Sequence, residues 1–172
     1  MKKALAIIFI ILLGCGYTTR GFLYEGTTIH IVPVANKIEI AKESRKYTTY
    51  VSYPVLIEKR LTNALIREFQ TDGHLEVTSS QAGSLRLTVE AIDYRRETLR
   101  YTDDDDIEEQ RLWLTVTMAL TDRGGNILKQ REIKSETTFF LIGPEQQSEG
   151  SAQNKLVADA ARRILEAVIE EW

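Results

Sequence analysis

The sequence predicts an α+β fold. We expect a two-layer sandwich in which two amphipathic helices cover one face of a mixed or antiparallel sheet of roughly four to five strands. Three observations carry this expectation. One segment near residue 60 and one at the chain end repeat apolar residues every three to four positions. Between them, several stretches alternate apolar and polar residues with a period of two. The resulting order is β-α-β-β-β-β-α, and two helices with one apolar stripe each need a single sheet face to bury them.

The first strand is Thr28 to Val34, where Ile29 and Ile31 alternate with His30. Pro33 cannot donate to a ladder, so it marks a strand end or edge. Lys37 to Tyr50 is polar without a pattern and reads as a loop. Pro54 suits the first turn of a helix. Ile57, Leu61, Ala64, Leu65 and Phe69 then form the stripe, with Ile66 flanking, and Asp72-Gly73 ends the helix. His74 to Thr78 is a short strand. Leu85, Leu87, Val89 and Ala91 alternate with polar residues and continue raggedly towards Tyr101. Asp103 to Glu109 is an acidic loop. Leu112 to Leu120 alternates without a break, and Asp122-Arg123-Gly124-Gly125-Asn126 is hairpin-turn chemistry. Ile127 to Phe140 returns, its Glu132, Lys134 and Glu136 marking a solvated or edge face. Gly143-Pro144 breaks that strand, and Glu145 to Ser151 is a polar linker. From Gln153 onward Leu156, Ala160, Ile164, Val168 and Trp172 make the second helical stripe.

Ahead of the fold lies a different kind of segment. Lys2 and Lys3 precede ten apolar residues, Ala4 to Leu13, and then Gly14-Cys15-Gly16. Ten residues are too few to span a bilayer, which takes about 20. A short positive region, a short apolar run and a small residue before the cut are the parts of a signal peptide. Residues 1–14 are therefore expected to be removed, and Cys15, the one cysteine of the chain, to be acylated. Residues 15–172 are then a single domain. With its cysteine acylated the chain has no thiol left for a disulfide. The net charge of −3 is mildly acidic, which argues against wholesale nucleic-acid binding.

Catalytic signals are missing from the sequence. There is no His-Glu-x-x-His, no paired cysteines and no Gly-x-Ser-x-Gly elbow. His30 and His74 read as ordinary strand or loop residues, and neither a metal site nor a cofactor is expected. Asp103 to Asp106 offer oxygen ligands of the kind calcium takes, but without the glycine and glutamate register of an EF-hand loop. The simpler reading is a solvated hairpin tip. Arg95, Arg96 and Arg100 cluster before that tip, and Lys129, Arg131 and Lys134 lie on the next hairpin. Arginine suits bidentate contact with phosphate, so a phosphorylated lipid or an acidic partner surface is the ligand class these residues fit; the simpler reading is a solvated strand face balanced by neighbouring acids.

Taken together, several segments resemble the LPS-assembly lipoproteins of the LptE family. They are Gly14-Cys15-Gly16-Tyr17 with Arg20-Gly21, Ile29 to Asn36, Leu61 to Phe69, Ser84 to Val89, Leu120 to Gly125, and Ala160 to Glu166 before Trp172. Their order is more specific than any one of them. The resemblance implies a non-enzymatic outer-membrane lipoprotein that binds and plugs the LPS translocon barrel LptD, assisting its assembly and LPS transport. It implies two helices on a small sheet, and LPS contact through basic residues near a hairpin end, here Arg95, Arg96 and above all Arg100. The family's second basic position, before the last helix, has no counterpart in Glu145 to Ser151. The competing reading is a pilot or scaffold lipoprotein of another outer-membrane machine, such as a secretin.

Overall fold

The computed structural model describes residues 27–38, 54 and 56–169. The signal segment, Cys15, most of the Lys37–Tyr50 loop and Trp172 lie outside the described residues. The elements are β1 (Thr27–Ile31), β2 (Ala35–Asn36), α1 (Ile57–Asp72), β3 (Leu75–Val77), β4 (Leu85–Tyr101), β5 (Ile107–Thr121), β6 (Ile127–Phe140) and α2 (Glu149–Ile169). The α+β reading holds. The sheet has six strands rather than four or five, in the order β3-β1-β4-β5-β6, with β2 also on β4. It is mixed: β1, β2, β3 and β4 pair in parallel, while β4, β5 and β6 form an antiparallel meander.

The first expected strand is split. Thr28 to Val34 is one alternating run in sequence, but pairing of β1 stops at Ile31 and resumes at Ala35. Pro33 lies in the gap, where no ladder donor is needed. Val34 turns inward (5% exposed), and its N–H donates to Thr62 Oγ1 of α1 at 2.9 Å.

α1 buries Ile57, Leu61, Ala64, Leu65 and Phe69, the five residues of its sequence stripe. Gly73 ends it at φ +77°, its N–H bonding the Phe69 carbonyl, a left-handed C-terminal stop of the usual kind. α2 buries Ala152, Leu156, Val157, Ala160, Ala161, Ile164, Leu165 and Val168. It begins at Glu149, a turn earlier than the apolar spacing indicates, because its first turn is polar.

The core lies between this helix pair and one sheet face. β5 buries Gln110, Leu112, Leu114, Val116, Met118 and Leu120 in alternation, with Trp113 and Thr117 on the other face, where Thr115 is also buried. β4 changes parity: Leu85, Leu87, Val89 and Ala91 are buried, then Tyr94. The cause is a bulge between Ala91 and Asp93 in the ladder with β5, which inserts one residue and re-aims the rest of the strand. From Glu97 to Glu109 no residue is buried. The outer third of the β4–β5 hairpin therefore extends as an arm past the packed core.

Candidate arginine site at the base of the hairpin arm

The parity change decides where each arginine goes. Arg95 lies on the solvated face. Its side chain is 74% exposed and its Nε is 2.6 Å from Asp93 Oδ2. Arg96, one residue on, points under the sheet towards the helices. It is only 14% exposed and is ion-paired with Glu149 in the first turn of α2. Arg100 stands on the arm, 57% exposed, 3.8 Å from Glu108 and 3.7 Å from Glu109. The three arginines thus share a strand without forming one patch, and each faces a carboxylate.

Arg96 belongs to a network that joins β4 to both helices. Gln153 donates to Glu149 at 3.0 Å. Arg60 of α1 donates to Gln153 at 2.9 Å and to Asn154 at 2.6 Å. Tyr94 lies against the same groups. Its hydroxyl titrates above the usual tyrosine range, first because it is buried and next because Glu149 is near, while Arg96 opposes the shift. Charged groups so placed keep their charge only because partners replace the lost water. No single stretch of sequence carries this cluster. It draws on Arg60, Tyr94, Arg96, Glu149, Gln153 and Asn154, and its only local signal is a polar first turn in α2.

The Asp103–Asp106 tip is a turn. Asp105 N–H bonds the Thr102 carbonyl, Thr102 N–H bonds the Asp106 carbonyl, and Asp105 sits at φ +64°. The β5–β6 turn repeats this pattern with Gly125 at φ +85°. There Asp122 accepts from Gly124, Asn126 N–H and the Asn126 side chain. The side-chain bond, followed by the backbone ones, holds its carboxyl below the usual range. Among the described residues no three His, Cys, Asp or Glu side chains converge as metal ligands.

The next hairpin's basic residues disperse as well. Lys129 Nζ donates to the Ala167 carbonyl at 2.8 Å, closing the last turn of α2. Lys134 pairs with Glu132 at 3.3 Å on the open face. Trp113 also lies on that face, with the Arg111 guanidinium 5.3 Å from its ring centre. Arg111 and Trp113 share this face as i, i+2 neighbours of β5, and neither is a candidate in the sequence reading. His30 and His74 lie apart, on Thr78 O and Asp72 respectively.

The described residues form an open two-layer sandwich with an exposed two-stranded arm, and the three arginines of β4 are tied in ion pairs. The chain belongs to the lipopolysaccharide-assembly family LptE, whose model matches residues 28–170. That family is one of non-enzymatic lipoproteins. Similar solved structures are lipoprotein B of Nitrosomonas europaea (16% identity, 90% of each chain covered, TM-score 0.52) and a minor lipoprotein of Acinetobacter baumannii (18%, 80% of this chain and 88% of that one, TM-score 0.48). Another is the rare lipoprotein B of Shewanella oneidensis (13%, 80% and 91%, TM-score 0.46). At these identities the likeness concerns the fold. No curated protein matches the chain in sequence. Among the described residues no helix is long and apolar enough to cross a membrane.

Proposed function

We propose that this chain is an outer-membrane lipoprotein, cut after Gly14 and acylated on Cys15, that plugs the barrel LptD and assists LPS delivery. The observation that carries the reading is the family match across residues 28–170, essentially the whole folded domain. The arm supplies the reach. Its unburied stretch, Glu97 to Glu109, leaves the core intact while entering a lumen or meeting a ligand. Arg100 is the arginine best placed for lipid A phosphates, being exposed and held only loosely by Glu108 and Glu109. Arg95 has a closer carboxylate, and Arg96 supports the arm from inside.

The test is an affinity pull-down of the acylated chain from its native outer membrane, followed by mass spectrometry. A large LptD-type barrel in near one-to-one amount supports the plug. Recovery of a secretin in its place overturns it in favour of the pilot reading. The intact mass of the bait reports separately whether Cys15 carries lipid.

A further inference from the structure

We propose that the outer edge of β6 pairs antiparallel with β6 of a second copy of this chain, about a two-fold axis through Ile133. This concerns the chain away from any barrel and does not rest on the function proposed above.

The edge is open by hydrogen-bond accounting. β6 is the last strand of the sheet. Leu141 N–H donates to the Glu108 carbonyl and Gln147 N–H to the Phe140 carbonyl. Phe140 therefore turns its own backbone groups away from β5. The ladder from Lys129 to Phe140 has no register shift. By alternation, Gln130, Glu132, Lys134, Glu136 and Thr138 also aim N–H and C=O outward. Among the described residues only Phe140 of this set is taken, by Gln147 and its bridge with Gln146. At the other end the ladder shifts beside Thr121 and Ile127, which closes the regular stretch. Nine residues, 130–138, remain, about 30 Å of strand whose outward backbone groups, on Gln130, Glu132, Lys134, Glu136 and Thr138, have no backbone partner among the described residues.

The side chains along this stretch select one register. An axis through Ile133 sets Glu132 opposite Lys134 and Gln130 opposite Glu136, each twice, with Ile133 meeting its own copy on the helix side. An axis through Glu132 puts that carboxylate against itself. An axis through Lys134 puts lysine against lysine and Glu132 against Glu136, twice. An axis through Ser135 needs Phe140, which is already bonded. Charges on an edge strand usually prevent pairing. Here alternating signs prevent it in the neighbouring registers and favour it in one, since opposite charges directly across a ladder attract and like charges repel. Lys134 and Glu132 are 67% and 50% exposed and now pair within their own strand at 3.3 Å, so both are available to cross over.

Cysteine scanning of the full acylated chain tests this. Single substitutions Glu132→Cys, Ile133→Cys, Lys134→Cys and Ser135→Cys are oxidised mildly, with the parent chain as control. The expected result is a disulfide-linked dimer from Ile133→Cys well above the other three, because a residue on the axis faces itself at disulfide distance. A charge exchange reads the same register without cross-linking. Lys134→Glu weakens self-association roughly tenfold, and adding Glu132→Lys restores it. Both sites are exposed, so folding is unaffected. A monomeric mass by light scattering at all concentrations, or equal cross-linking at all four positions, overturns the proposal. So does association that ignores the charge exchange.

Discussion

Arg96 and Arg100 lie four residues apart on one strand and do opposite work. Arg96 is mostly buried and balances Glu149, itself a third exposed, so truncation removes the charged partner of that carboxylate and opens a gap beside Tyr94. A hydrogen bond between charged groups is worth about 1.5–3 kcal/mol. We expect Arg96→Ala to lower unfolding stability by about 2 kcal/mol in urea titration. Arg96→Lys should recover only part of that, because a point charge does not reproduce the guanidinium fork. Arg100 is exposed, and its carboxylates are at the limit of pairing distance. Arg100→Ala should stay within about 0.5 kcal/mol of the parent while weakening retention of LPS by the purified protein. Equal loss of LPS in both variants, scaled to stability, would remove Arg100 from the ligand role. Tyr94 gives the pH signature of the same network. Its folded pKa is raised, so its contribution is present in full below the ordinary tyrosine value near 10 and is lost as pH rises through the folded value. Tyrosinate absorbance should include a late-titrating phenol that Tyr94→Phe removes. The sequence marked all three arginines as one cluster. It could not separate them, because the bulge at Ala91–Asp93 that sends Arg96 inward has no composition of its own.

The two hairpin turns share one backbone pattern but not one residue choice. Gly125 takes the left-handed position of the β5–β6 turn at no steric cost, whereas Asp105 holds the same position in the β4–β5 turn. A residue with a Cβ loses about 1–2 kcal/mol there, aspartate less than most. Asp105→Gly should therefore raise stability by about 1 kcal/mol, and Gly125→Ala should lower it by about as much, both read from denaturant midpoints at unchanged slope. A destabilised Asp105→Gly would mean that the carboxylate, not the turn, holds this tip. Among the elements, α1, β5 and β6 were legible from periodicity because each keeps one parity or one stripe throughout. β2 was not, since two residues carry no period. The first turn of α2 was not either, because Glu149 and Gln153 face partners on β4 and α1 rather than an apolar core. The acidic run was legible as a hairpin tip, although the strand reclaims Ile107 to Glu109 from the expected loop.

The molecule as a whole divides into a core that folds and an arm that reaches. Every buried residue of β4 precedes Glu97, and the first buried residue of β5 is Gln110. Burial supplies most of the favourable free energy of folding, so the arm should be dispensable to it. Thr98 and Gln110 are partners in the ladder and can be joined by a short glycine-containing turn in place of Leu99 to Glu109. The excision removes one backbone bond between the arm and Leu141, worth about 1 kcal/mol, while the ladder bonds and Arg100 ion pairs inside the arm leave with it. For a domain of this size that corresponds to a fall of about 2–4 °C in melting temperature. Exposed Leu99 and Tyr101 leave with the arm, so solubility should not suffer. If the arm carries the ligand, the shortened chain stays folded yet loses LPS retention to the same extent as, or beyond, Arg100→Ala. A melting temperature reduced by tens of degrees would show that the arm belongs to the core after all. Undiminished LPS retention by a well-folded shortened chain would move the contact elsewhere, with the open face around Trp113 and Arg111 the next surface to probe.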